Sequence, residues 1–424
     1  MSSTLSFSGA EHIASQQLLL LQKQLQFIKE CSPFYKERLA AVNPQNLRHI
    51  SDLATLPFTT KDDFHTHSEA FLCVQKNQII DYSTTSGTTG KPVVVALTES
   101  DLLRLAENEA QSFACAGAVA DDVFQLMLTL DRQFMAGMAY AMGLRKIGAG
   151  MVRLGPGPPA QQWESILRFQ PTGLVAVPSF LIRLLDYAKA NGINPNQTSV
   201  KKIVCIGEPL RHFDFSPNPL ATRISAQWQV PLYSTYASTE MQTAFTECEC
   251  GCGGHLIPEL LIAEVIGEKD EVLGEGEIGE LVITHLGVEG MPLLRYRTGD
   301  MVARFDTPCA CGRNSMRLSP VMGRKNQLIK FKGTTLYPPA IIEAINSIAA
   351  VSDFLIRVTK NELEVDILEV FISQRGNMDE TDLQLREVLQ RKLRVLPEIH
   401  FVSNHQLQEM RPADSRKPVT VMFA

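Results

Sequence analysis

The sequence predicts an α/β protein: a large N-terminal domain of α/β sheets with a small barrel-like subdomain, followed by a small α+β C-terminal domain. Three observations predict this architecture. Strand-like runs alternate with helical patterns from about residue 80 to 236, with polar residues gathered just past the strand ends, as in an open sheet with a crevice site. From 256 to 305 the texture changes to strand patterns separated by Gly/Glu turns. Beyond 333 a strand pair with flanking helical patterns is enough for an independent domain of about a hundred residues. At 424 residues the chain exceeds what one hydrophobic core usually serves.

Taken in order, residues 13–28 carry a dense Leu/Gln/Lys pattern that can bury one helical face, and Pro33 breaks the path. Segments 100–117, 160–169 and 179–190 read as helices, and 123–130 and 173–177 as strands. The apolar run 202–206 is a regular strand ending at Gly207-Glu208-Pro209. A short strand at 230–233 ends at Ser234-Thr235-Tyr236. Runs 260–266 and 279–284 resemble antiparallel strands. Residues 323–333 form a polar junction, which divides the chain into domains 1–323 and 324–424. In the second, a strand pair at 354–373 lies between helices at 339–349 and 379–394.

Composition narrows the function. A net charge of −6 argues against a general binder of nucleic acid or anionic membrane. No apolar run reaches membrane-spanning length, and the N-terminus lacks the basic and apolar sections of a signal peptide, so the cytoplasm is the expected location. Five of the nine cysteines fall in two clusters, Cys248-x-Cys250-x-Cys252-x-x-His255 and Cys309-x-Cys311. Zinc takes four tetrahedral ligands, so two of these six candidates are spare, and two ligands from each cluster would staple two strand ends together. A closed site of that kind is structural.

Residues 83–92, Ser-Thr-Thr-Ser-Gly-Thr-Thr-Gly-Lys-Pro, hold almost nothing but hydroxyls, glycines and one cation between two extended runs. Their backbone N–H groups, the hydroxyls of Ser83, Thr84, Thr85, Ser86, Thr88 and Thr89, and Lys91 suit a polyphosphate, with Gly87 and Gly90 permitting the turn. A Walker A loop is excluded. Thr85 stands where its first glycine belongs, and Pro92 follows the lysine and steers it away from a helix. Asp300, after Gly299, is placed to accept hydrogen bonds from a ribose diol. Glu240, in Tyr236-Ala237-Ser238-Thr239-Glu240, can hold a hard cation, and Tyr236 offers an aromatic face to a base. Read locally, Asp300 is equally a turn aspartate, and the basic segment 411–418 a solvated tail.

With these residues collected, the sequence resembles the adenylate-forming (acyl- and aryl-CoA ligase) superfamily, and within it the phenylacetate–CoA ligase family. The resemblance runs from 32–35 through 56–61 to the last twenty residues. Residues 83–92 are similar to the family's ATP loop, Gly207-Glu208-Pro209 to the segment lining the adenine, and 236–240 to the adenine-stacking and magnesium segment. Residues 297–300 resemble the ribose motif, Gly323-Arg324 with Lys330 and Gly333 the hinge and the loop after it, and Lys417 the late catalytic lysine. Two positions depart from the pattern. Residues 323–326 read Gly-Arg-Lys-Asn, with an amide where an acid is common, and Ser415-Arg416 precedes Lys417 where a glycine is frequent.

The resemblance implies an enzyme in which the large domain binds ATP, Mg²⁺ and a small carboxylic acid, while the C-terminal domain acts as a mobile lid between two half-reactions. Lys417 and Lys91 would serve adenylation beside Glu240, and the acyl group would pass to coenzyme A. It also implies structural Zn²⁺ on Cys309, Cys311, His255 and one of Cys248, Cys250 or Cys252, the first two favoured. An aromatic, phenylacetate-like acid is the family default. Residues 131–145, with Phe134, Met135, Met138 and Tyr140, are equally a lining for it or a core helix. No nucleic acid or membrane is expected as a partner, and a homodimer is the candidate assembly. Two alternatives stay open: a ligase that loads a carrier-protein phosphopantetheine arm, and a non-catalytic nucleotide- and zinc-binding relative acting through a partner.

Overall fold

The computed structural model describes residues 5–85, 93–332, 334–361, 366–411 and 419–423, excluding the side chains at 326, 330 and 335. They form two compact units, one of Met1–Pro217, Ala221–Thr298 and Val302–Pro320, the other of Asn218–Leu220, Gly299–Met301 and Val321–Ala424. The architecture is mixed α/β, as predicted.

The larger unit opens with the Ala10–Cys31 helix, which buries Ile13, Leu21, Leu25 and Ile28 at helical spacing. Pro33 does not simply end the path. It occupies the first turn of a second helix, Pro33–Arg38, where a missing N–H costs nothing, and Ser32 caps it. The sheet then runs in the order Gly150–Val152, Val123–Leu126, Gly173–Ala176, Lys202–Ile206 and Leu232–Ser238, all parallel. Helices Met135–Ile147, Pro159–Phe169 and Pro178–Ala190 alternate with these strands. Buried runs such as Leu174, Val175, Ala176 and Ile203, Val204, Cys205 fit strands covered on both faces. The sheet continues antiparallel through Thr243–Glu247, Gly254–His255 and Arg317–Leu318 to Tyr296–Phe305, Ile278–His285 and Leu261–Ile266.

The segments following the carboxyl ends of the five parallel strands are 127–134, 153–158, Val177, 207–218 and 239–242. Open parallel sheets bind ligands at such ends.

In the smaller unit the Val351–Lys360 and Asp366–Gln374 strands pair antiparallel, with Glu398–Phe401 and Val421–Phe423 added parallel at the two edges. Pro338–Asn346 and Met378–Leu393 pack on this sheet through Ile341, Ile345, Leu385 and Leu389 against Ile356, Leu368 and Val370. Residues 419–420, just after the 411–418 segment read from sequence as a solvated tail, lead into that edge strand. Arg411, just before, grips Asp353 at 2.7 and 2.8 Å. Among the described residues no helix is long and apolar enough to cross a membrane.

Candidate functional site

Strands Asp81–Thr84 and Val94–Leu97, on either side of the hydroxyl-rich segment, pair antiparallel as a hairpin with Thr84 opposite Val94. Ser86, Gly87, Thr88, Thr89, Gly90 and Lys91 lie outside the described residues. The base of the hairpin is closed by Thr85, whose N–H donates to the Val93 carbonyl and whose Oγ1 accepts from the Val93 N–H, both at 3.0 Å. Ser83 Oγ donates to Asp81 Oδ2 at 3.0 Å. Ser83 and Thr85 thus serve the hairpin itself. The Thr84 N–H donates to the Gln133 carbonyl at 2.9 Å, across a loop in which Arg132 and Gln133 both adopt φ +57°. Two successive non-glycine residues in that region are strained, and the sequence offered no sign of them.

After the Lys202–Ile206 strand, Gly207 turns the chain at φ +76°, and the Glu208 carboxylate accepts from Ser179 N–H and Oγ at 2.8 Å each. Tyr236 does not follow a strand end, as the sequence suggested, but lies within Leu232–Ser238. Residues 235–238 become strand because Thr243–Glu247 folds back to pair with them, and a cross-strand partner is invisible to a local pattern. Tyr236 stacks near its partner Phe245, ring centroids 6.1 Å apart. Ala237 pairs with Ala244. Ser238 shapes the turn that follows, its Oγ taking the Met241 N–H at 3.1 Å and its carbonyl the Gln242 N–H at 3.2 Å. Thr239 and half-buried Glu240 occupy that turn.

In the smaller unit, Asp300 sits inside the Tyr296–Phe305 strand, not in a turn, opposite Arg324 in an antiparallel pair. Arg324 Nε donates to Asp300 Oδ1 at 3.1 Å. Lys330 belongs to the short Ile329–Phe331 strand, and Lys417 lies outside the described residues.

The two cysteine clusters, although some sixty positions apart, meet in the larger unit. One donor atom from each of Cys248, His255, Cys309 and Cys311 lies within 4.8 Å of the others. Cys248 and Cys309 are 3.6 Å apart at sulfur, near the roughly 3.8 Å that two 2.3 Å zinc–sulfur bonds at the tetrahedral angle would give. His255 Nε2 lies 3.6 Å from Cys311 Sγ. Burial, aided by the charges of Arg313 and Arg317, pushes the imidazole down to about 3, so the ring is neutral, as a ligand must be. Cys252 touches Cys309 at 3.5 Å, whereas Cys250 is exposed. The donor set fits a closed tetrahedral site.

Sequence reasoning missed what ties these parts together. Arg211 binds Glu247 at 2.9 Å, and the other Glu247 oxygen accepts from the Ser234 N–H at 3.2 Å. Gly251 adopts φ +59°, a left-handed conformation that favours glycine, and a Cβ there would push against the Arg211 guanidinium. Cys115, which lies outside both clusters in the sequence, packs against Cys248 and Cys309.

The sequence pattern of a family described as AMP-binding enzyme matches residues 16–290. The phenylacetate–coenzyme A ligase of Thermus thermophilus is 28% identical over 411 residues, 94% of this chain and 87% of that protein. That of Escherichia coli is 25% identical over 346 residues, 80% of this chain and 77% of that protein. Among solved structures, a 2-hydroxyisobutyryl-CoA ligase in its postadenylation state superposes with a TM-score of 0.87 at 20% identity, covering 99% of this chain and 91% of that one.

Proposed function

The chain belongs to the AMP-binding enzyme family, as an AMP-forming ligase similar to the phenylacetate–CoA ligases, and from that premise we propose that it activates an aromatic carboxylic acid as its adenylate and passes the acyl group to coenzyme A. The observation that carries this reading is the family match itself, which spans the 83–92 loop and Glu240. Carboxylate and thiol do not condense in water. An acid already ionised at neutral pH needs no general base to attack the α-phosphorus of ATP, only relief of the charge that grows on the phosphate oxygens.

In the proposed division of labour, the 83–91 loop holds the β- and γ-phosphates, Ser83 and Thr85 by bracing its base, and Gly207, Glu208, Pro209, the 236–238 strand end and Thr239 border the adenine. Asp300, oriented by Arg324, accepts from the ribose hydroxyls. Glu240 holds the Mg²⁺ that screens the phosphates. Lys417 meets the developing charge during adenylation, and Lys330 and Arg324 border the hinge between a lid at 324–424 and the adenylation domain at 1–323. Glu208 already spends its carboxylate on Ser179 N–H and Oγ, so its part is to shape the wall. A structural zinc on Cys248, His255, Cys309 and Cys311 would join the Gly254–His255 strand to the 309–311 segment.

A panel of aryl and alkyl carboxylic acids, scored by pyrophosphate release with and without coenzyme A, tests the reading. Release that requires an aryl acid, with thioester formed on adding coenzyme A, is expected. Adenylate formation without thioester on free coenzyme A would replace it with the carrier-protein acceptor. No pyrophosphate with any acid would remove the activity.

A further inference from the structure

Two side chains from different elements grip the backbone immediately after Glu240, and neither has a role above. Arg104, on the Glu99–Cys115 helix, is 7% exposed. Its guanidinium donates to the backbone carbonyls of Leu286 at 2.8 Å, Gln242 at 2.9 Å and Leu260. His285, fully buried at the end of the Ile278–His285 strand, accepts the Leu293 N–H at Nδ1, 3.1 Å away. That bond places the ring proton on Nε2, which donates to the Met241 carbonyl at 3.1 Å. Burial and the charge of Arg104 hold the ring neutral, pushed down to about 3. The carbonyls of both residues after Glu240 are therefore fixed from outside the turn. Met241 itself is fully buried, and Gln242 adopts φ +50°.

We propose that Arg104 and His285 are positioning residues for the Glu240 carboxylate: by holding the Met241 and Gln242 carbonyls they fix the direction in which Glu240 presents its oxygens to a nucleotide-bound cation. This rests on the reading of Glu240 as that cation's ligand. Magnesium-sized ions demand near-octahedral oxygen geometry, so a turn free to rock would weaken the bond without removing a ligand. The two groups divide the work. Arg104 supplies a charge-assisted bond to Gln242, and His285 a neutral bond of fixed tautomer to Met241.

The test uses the full chain, ATP and Mn²⁺ as a paramagnetic probe, with ion affinity read from water-proton relaxation so that no acid substrate is needed. His285→Asn keeps an acceptor for the Leu293 N–H but does not reach Met241. His285→Gln places an amide N–H where Nε2 stands. We expect His285→Asn to weaken Mn²⁺ binding to the ATP-loaded protein by about tenfold and His285→Gln to hold it within about twofold. Glu240→Gln, the reference, should weaken it at least as much as His285→Asn. A reference variant that binds Mn²⁺ like the parent chain defeats the reading of Glu240. A weakened reference with an unchanged His285→Asn overturns the positioning role alone, as does equal weakening by Asn and Gln. Should His285→Asn fail to fold, Arg104→Lys, which keeps the charge but not the three-way reach, carries the same comparison.

Discussion

Arg324 Nε lies 3.1 Å from Asp300 Oδ1, on the facing residue of an antiparallel strand pair. A carboxylate held this way has its orientation set, which the proposed contact with the ribose would use. Arg324 is 41% exposed at its side chain, so solvent weakens the pair, while Asp300 at 9% is not screened from its own side.

Arg324→Ala is accordingly expected to raise the KM for ATP by roughly three- to tenfold, less than an unscreened charge-assisted hydrogen bond would contribute because solvent reaches the guanidinium, with less effect on the KM for the acid. Arg324→Lys should recover part of it. Steady-state kinetics with each substrate varied in turn checks this, and equal rises in both KM values would take Asp300 out of the ribose role.

Lys417→Ala should depress pyrophosphate exchange by about a hundredfold or more, since a group aimed at transition-state charge is worth roughly 3–4 kcal/mol. The same variant should convert a synthetic acyl-adenylate to thioester at near-normal rate. Equal loss in both half-reactions would sink the assignment.

Freshly purified protein is expected to carry about one zinc per chain by elemental analysis, four thiolate and imidazole donors making one closed site. Cys248→Ser should release it and lower the melting temperature, whereas Cys250→Ser, at an exposed sulfur, should keep the metal. Less than half an equivalent in the parent chain would count heavily against the site.

Glu109 predicts a pH effect on stability. Its side chain is buried on the Glu99–Cys115 helix, its Oε1 accepts from Asn108 Nδ2, and burial pushes the carboxyl from 4.5 up to about 8. The folded protein keeps this proton up to about pH 8, while the unfolded chain loses it near 4.5. The contribution is therefore fully present below 4.5 and is lost as pH rises to 8, by at most about 1.4 kcal/mol per pH unit. Glu109→Gln, which cannot ionise, should gain on the parent chain between pH 5 and pH 8 in paired denaturant titrations. A constant gap between the two would show that the carboxyl is already ionised in the folded state.

Much of the fold was legible because helices and strands write their own periodicity. The apolar spacing on the 13–28 segment and the run at 202–206 became the Ala10–Cys31 helix and the Lys202–Ile206 strand. The reading faltered at Tyr236, because residues 235–238 extend their strand only when Thr243–Glu247 returns to pair with them. The same limit hid the supports of the candidate site. Arg104 meets the Leu286 carbonyl 182 positions away and that of Gln242 138 positions away, so no local window contains both partners.

By itself the sequence determined the chemistry on offer: a hydroxyl-rich turn that Pro92 keeps from being a Walker loop, two cysteine clusters with one histidine, and the acids Glu240 and Asp300. Only the tertiary structure decided which groups meet. It set Cys248 beside His255, Cys309 and Cys311, paired Asp300 with Arg324, and fastened the Glu240 turn through His285 and Arg104. Residue type and local spacing travel with the chain, whereas hydrogen bonds and metal coordination depend on tenths of an ångström between segments that only the closed fold brings together.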